Sequence, residues 1–126
     1  MHKMKPDIEK LREWLEKIRE NTMQIIVEGK KDREALVKIG VDGERIIYLG
    51  MPPYRLAEEL SGKTKKVIIL TDLDEEGKKI YGDVKRNLNR LGVQVDTYFR
   101  EGLFRYSELS HIEGAYRHFR NLGLVD

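Results

Sequence analysis

Two short acidic stretches carry the residues best suited to chemistry. In "IILTDLDEEGKKI", residues 68–80, an apolar run ends in Asp72, Asp74, Glu75 and Glu76, ahead of Gly77 and the lysines Lys78 and Lys79. In "IIVEGKKD" a second apolar run ends in Glu28 and Gly29, with Asp32 close behind. Carboxylates within about 4 to 6 Å repel and raise one another's pKa, so a cation relieves such a cluster. Charged oxygen ligands suit magnesium, with manganese as the alternative. The Asp72-Leu73-Asp74 stretch also has a plainer reading, because acids at a helix start cap free amides and favour the positive end of the helix dipole. Glu28 has no such capping reason directly after a strand, whereas Asp32 is a natural N-cap for the helix that follows.

The elements that must position these acids alternate along the chain. An amphipathic helix is expected over 7–20, opened by Pro6 and Asp7, with Ile8, Leu11, Leu15 and Ile18 at helical spacing. Strands are expected at "MQIIVEG", "RIIYLG", "KKVIIL" and "VQVDTYF". Helices are expected at "DREALVKIG", "PPYRLAEELSG" and "EEGKKIYGDVKRNLNRLG", with a closing helix over 111–122. "REGLFRYSELS", residues 100–110, reads as a loose loop over one edge. Strands that are unbroken apolar runs, alternating with helices, predict an α/β fold with a parallel sheet covered on both faces. Ligands in such sheets bind outside the carboxyl ends of the strands. If the first and third strands are neighbours, Glu28, Asp72 and Asp74 therefore converge.

Composition narrows the chemistry. At 126 residues the chain is the size of one domain, and 24 Lys plus Arg against 22 Asp plus Glu give a net charge of only +2, which permits a nucleic-acid partner without demanding one. The absence of cysteine excludes disulfides, thiolate zinc sites and cysteine nucleophiles, and His2, His111 and His118 are too scattered for a zinc set. No secretory signal or transmembrane run is expected at the N-terminus, so no membrane partner is expected and the expected location is the cytoplasm. A charged fraction of 37% fits a thermostable protein, in which ion-pair networks gain weight.

"IIVEGKKD" followed by "VIILTDLDEEGKKI" resembles the two signature motifs of the Toprim domain, shared by topoisomerases, bacterial primases, OLD-family nucleases, recombination mediators and a ribosomal RNA maturation nuclease. The resemblance spans about 23–100, within one domain over 1–126 whose N-terminal and C-terminal helices pack on that core. It implies a Rossmann-like fold with a central four-stranded parallel sheet. It also implies that Glu28 is the motif glutamate, serving proton transfer or metal ligation, and that Asp72 and Asp74 bind Mg2+. Gly29 and Gly77 become the motif glycines, and Glu76 falls where type IA topoisomerases carry a third acid.

Neither a topoisomerase tyrosine domain nor a zinc module or primase core accompanies the motifs, so strand passage and primer synthesis are not expected of this chain alone. The expected function is Mg2+-dependent phosphodiester chemistry on RNA or DNA, as a nuclease or RNA-processing enzyme. The alternative is a non-catalytic nucleic-acid-binding subunit of a repair or RNA-processing complex. Either reading favours a homodimer or a larger assembly. Lys31, Arg33 and Lys78 are the candidate substrate-binding cations, with Lys30, Lys79, Arg100 and Arg105 also near the expected edge. Tyr98, Phe99, Phe104 and Tyr106 could stack on bases or pack in the core, and His111 and His118 read as surface or packing residues. "SGKT", residues 61–64, is a turn and not a phosphate loop, because Ala57 stands where the first glycine is required. A haloacid-dehalogenase reading fails because its nucleophilic aspartate belongs on the first strand, and Asp72 follows the third.

Overall fold

The computed structural model describes residues 5–126; residues 1–4, including His2 and the start of the expected single domain, lie outside the described residues. The elements run α1 (Ile8–Glu20), β1 (Gln24–Val27), α2 (Lys30–Lys38), β2 (Ile46–Tyr48), α3 (Pro53–Ser61), β3 (Lys66–Leu70), α4 (Glu75–Arg90), β4 (Gln94–Asp96), α5 (Tyr98–Tyr106) and α6 (Ala115–Asn121). Single 3-10 turns lie at Gly43–Arg45 and Ile112–Gly114. All four strands are parallel, in the order β2-β1-β3-β4. The expected α/β architecture is therefore present.

Strand alternation builds two apolar layers from the same runs. Ile25 and Val27 of β1 join Ile68 and Leu70 of β3 on one face, beneath α1, α2, α5 and α6. Ile26, Val67 and Ile69 point to the other face, where Leu56 and Leu60 of α3 and Val84 and Leu88 of α4 cover them. A strand buried on both faces can be apolar at every position, which is why these runs do not alternate in sequence. Arg45 ties the end of α1 to the start of β1. Its guanidinium donates to the Ile18 carbonyl at 2.6 Å, the Asn21 Oδ1 at 2.6 Å and the Met23 carbonyl at 3.0 Å.

Three expectations are corrected in the last third of the chain. The fourth strand stops at Asp96 and does not reach Phe99, because the Asp96 carboxylate accepts the Phe99 N–H at 2.9 Å and turns the chain into a helix. The expected loop over 100–110 is helical as far as Tyr106. Gly102 lies where α5 presses on Trp14, and a Cβ there would stand 3.4 Å from the indole Cδ1. The closing helix is likewise divided, into the turn at Ile112–Gly114 and α6.

The connection from β3 to α4 is the tightest in the fold. A Cβ on Gly77 would stand 2.6 Å from the Asp72 carbonyl carbon, so only glycine lets the helix start fold over the preceding turn. Thr71, fully buried, adds a hydrogen bond from its hydroxyl to the Gly77 carbonyl at 2.8 Å. Gly77→Ala must push main chain against main chain. We expect it to cost about 3 kcal/mol in a denaturant melt, more than an alanine normally costs in a first helical turn.

Candidate metal centre

β1 and β3 lie side by side at the centre of the sheet, with Val27 paired to Leu70. The chain leaves β1 toward β2 on one side, while β3 and β4 lie on the other, so the crevice between β1 and β3 is the switch point of the topology. Glu28 and Asp72 emerge into that crevice, and the Glu28 Oε2 accepts the Asp72 N–H at 2.7 Å. Asp74 caps α4, its Oδ1 accepting the Gly77 N–H at 2.7 Å. The capping reading of the acidic pair thus holds for one oxygen of one residue. The other oxygen, Oδ2, faces the His111 Nε2 at 3.4 Å.

The segment before α6 closes over these acids. The Leu73 N–H donates to the Ser110 carbonyl at 2.8 Å, and the Ile112 N–H donates to the Asp72 Oδ1 at 2.8 Å. His111 sits between these two anchors. One ligand atom each from Asp72, Asp74 and His111 lies within 4.8 Å of the others. In the sequence His111 reads as a surface or packing residue, since nothing in its local pattern announces the contact.

Burial raises the pKa of Glu28, and the charges of Asp72, Asp74 and Glu76 add to the effect, opposed by the Asp72 N–H. Asp32 is buried within the first turn of α2, where its carboxylate accepts the Gly29 N–H at 3.1 Å. It is therefore not the residue preceding the helix, as expected, but one reaching back from inside it. Burial, and then the Asp72 charge, push its pKa up to about 6.

Among the described residues, no lysine or arginine nitrogen lies within 4.0 Å of the carboxylates of Glu28, Asp72 or Asp74. Arg100 is close, but it donates to the carbonyls of Thr71 at 3.0 Å and Asp72 at 2.6 Å. The Tyr81 and Phe104 rings flank its guanidinium at 4.6 and 5.5 Å. It holds the turn in place while the carboxylate oxygens stay outward. A donor set of carboxylates without a lysine or arginine partner fits a divalent cation.

The remaining expected residues are distributed as follows. Glu76 is exposed on the first turn of α4, near enough for its charge to act on Glu28. Lys78 is exposed, 4.0 Å from Glu75. Lys31 lines a cleft of about 420 Å³ with Glu34, Lys38, Glu113 and Arg117, beside the acids and not around them. The Arg33 guanidinium lies over Gly43, on the approach to β2. Gly29 is extended, with nothing within 4 Å of where its Cβ would be. Phe99 and Phe104 are buried in the core, leaving Tyr98 and Tyr106 half-buried.

A parallel α/β sheet with a glutamate after one central strand and paired aspartates after its neighbour defines an acidic, metal-holding class of domain. The Toprim domain family matches residues 24–100, and the chain belongs to that family. It is 41% identical over 102 residues to a UPF0292 protein of Methanocaldococcus jannaschii, covering 79% of this chain and 80% of that one. It is 34% identical over 112 residues to a UPF0292 protein of Pyrococcus abyssi, covering 87% and 84%. A solved structure of a putative protein from Aquifex aeolicus superposes with a TM-score of 0.73 at 36% identity, covering 82% of this chain and 95% of that one. The family and the Asp72, Asp74 and His111 group point to metal-dependent chemistry on nucleic acid. No helix among the described residues is long and apolar enough to cross a membrane.

Asparagine at 72 or 74 can keep the hydrogen bonds made by Oδ1 while removing a charge that raises Glu28. With EDTA, Asp72→Asn and Asp74→Asn should therefore melt no lower than wild type. Millimolar magnesium or manganese should stabilise wild type, by about 2.7 kcal/mol at a hundredfold excess over Kd, and leave both variants unmoved.

Asp32 supplies a pH signature. A carboxyl whose folded pKa is raised stabilises the fold below its unfolded pKa and loses that contribution as pH rises through its folded value. Between pH 4 and 6 the metal-free protein should lose about 1 to 3 kcal/mol from Asp32, with Glu28 acting in the same sense. Asp32→Asn keeps an acceptor for the Gly29 N–H, so it should match wild type at pH 4 and exceed it by that amount at pH 7 in denaturant melts with EDTA.

Proposed function

We propose that this chain is a metal-dependent phosphodiester hydrolase acting on nucleic acid, with structured RNA as the favoured substrate. The observation that carries the reading is the grouping of Asp72 and Asp74 with His111 at the switch point of the sheet, with the Glu28 carboxylate held on the Asp72 N–H beside it. Asp72 and Asp74 are assigned to hold the ion, with Glu76 beside them. When bound, magnesium would offset phosphate charge and act as a Lewis acid toward water and the scissile group.

Glu28 is assigned proton transfer. Its raised pKa lets it take a proton more readily than an ordinary surface carboxylate, and its bond to the Asp72 N–H fixes one oxygen while the other stays available. Lys31 and Lys78 are exposed beside the acids and are assigned to substrate phosphates; Arg33, turned toward Gly43, is the least well placed of the three expected cations. Asp74, Glu76 and His111 are exposed, so the site is an open edge. An open edge suits a polymer passing across it, since small-molecule sites enclose most of their ligand.

The test is turnover of the purified chain on structured RNA, single-stranded RNA and DNA duplexes, with EDTA, magnesium or manganese. Cleavage should require metal, favour structured RNA, and fall by about a hundredfold or more in Glu28→Gln, which can still accept the Asp72 N–H. Metal-dependent binding with no cleavage of any substrate would instead support the non-catalytic subunit.

A further inference from the structure

The acids expected from the sequence form an oxygen-only site, but the folded chain adds a nitrogen. His111 Nε2 faces Asp74 Oδ2 at 3.4 Å, with the two side chains 52% and 46% exposed. An N–H donor to oxygen ordinarily sits at about 2.7 to 3.2 Å, so this contact is long for a direct hydrogen bond. Two ligand atoms about 2.1 to 2.2 Å from one ion, at octahedral to tetrahedral angles, lie roughly 3.0 to 3.6 Å apart. The observed spacing falls within that interval.

The other ring nitrogen is held as well. His111 Nδ1 lies 3.0 Å from the Ser110 Oγ. When Nδ1–H donates to that hydroxyl, Nε2 presents a lone pair to the carboxylate, an arrangement that a cation between them resolves. A polar partner on the far nitrogen is the usual means of orienting a ligating imidazole. The main chain repeats the constraint on both sides, through Leu73 N–H to Ser110 O and Ile112 N–H to Asp72 Oδ1.

From this geometry we infer that His111 is a direct metal ligand beside Asp72 and Asp74, and that its nitrogen shifts the preference of the centre from magnesium toward manganese. The inference rests on the assignment of Asp72 and Asp74 as ion-holding residues. Imidazole contributes more to manganese than to magnesium, which favours an all-oxygen shell.

Pulsed electron paramagnetic resonance of the full chain with one equivalent of Mn2+ provides the test. Wild type should show modulation from a directly coordinated 14N nucleus, which becomes 15N modulation when the protein is made with ring-15N histidine. His111→Gln should lose it, and calorimetric titrations should show its manganese-over-magnesium affinity ratio falling about tenfold. Manganese bound without nitrogen modulation would overturn the role of His111 and leave the Asp72 and Asp74 assignment standing. Nitrogen modulation that persists in His111→Gln would also overturn it. Failure of wild type to bind manganese or magnesium would overturn both. Ring labelling marks His2, His111 and His118 alike, so a His2→Gln, His118→Gln double variant, which should keep the modulation, assigns it to His111 without depending on the fold of His111→Gln.

Discussion

The hydrogen bond from the Asp72 N–H to the Glu28 carboxylate joins the ends of the two central strands, and the rest of the site depends on it. Parallel pairing of Val27 with Leu70 brings the ends of these strands level, so the first acid beyond each has little room to be elsewhere. A partly buried glutamate at that position needs a donor, and the main chain of the opposite turn supplies one. That turn is in turn fixed by Gly77 beneath it, by Arg100 on its carbonyls, and by Ser110 and Ile112 across its top. Its carboxylates are therefore preorganised without a basic side chain bonded to them.

Arg100 shows how the charge is handled. Several carboxylates lie at this edge, yet the nearest guanidinium spends its N–H groups on backbone carbonyls between two aromatic rings. Its positive charge still reaches Glu28 and Asp72 through a poorly hydrated surround. The cation thus sits beside the acids without occupying their oxygens. A salt bridge to Asp72 would have stabilised the metal-free protein at the expense of ligand binding, the exchange often found at functional sites.

What was legible in the sequence were the features with a local cause. Apolar runs that end in acids disclosed the strands, their parallel arrangement and the sheet edge from which Glu28, Asp72 and Asp74 leave, because burial on both faces and the exit of the chain leave marks within a few residues. Gly77 was legible as a motif position, and the structure supplies its reason in the Asp72 backbone. The features that escaped depend on partners far along the chain. Arg100 looked like a rim cation because its acceptors lie on a turn before α4. Residues 100–106 looked like a loop because Gly102 marks a close approach to Trp14 of α1, which no local pattern encodes. His111 looked like a surface or packing residue because its place is set by Ser110 and Ile112 bonding to the aspartate turn.

The Toprim match spans residues 24–100, and His111 lies beyond it. His111 belongs to a segment whose position is set twice over. Ile112 is fully buried next to it, and Phe119 of α6 packs against Trp14 with ring centroids 5.8 Å apart. Those core contacts bring the segment to the sheet edge, where Leu73 N–H bonds the Ser110 carbonyl and Ile112 N–H bonds the Asp72 carboxylate to dock it. In this chain the sheet presents the carboxylates, and the segment after β4 supplies what else faces them. In this chain the helices after β4 are part of the site's construction, since without them Asp72 loses a main-chain donor and Asp74 its imidazole neighbour.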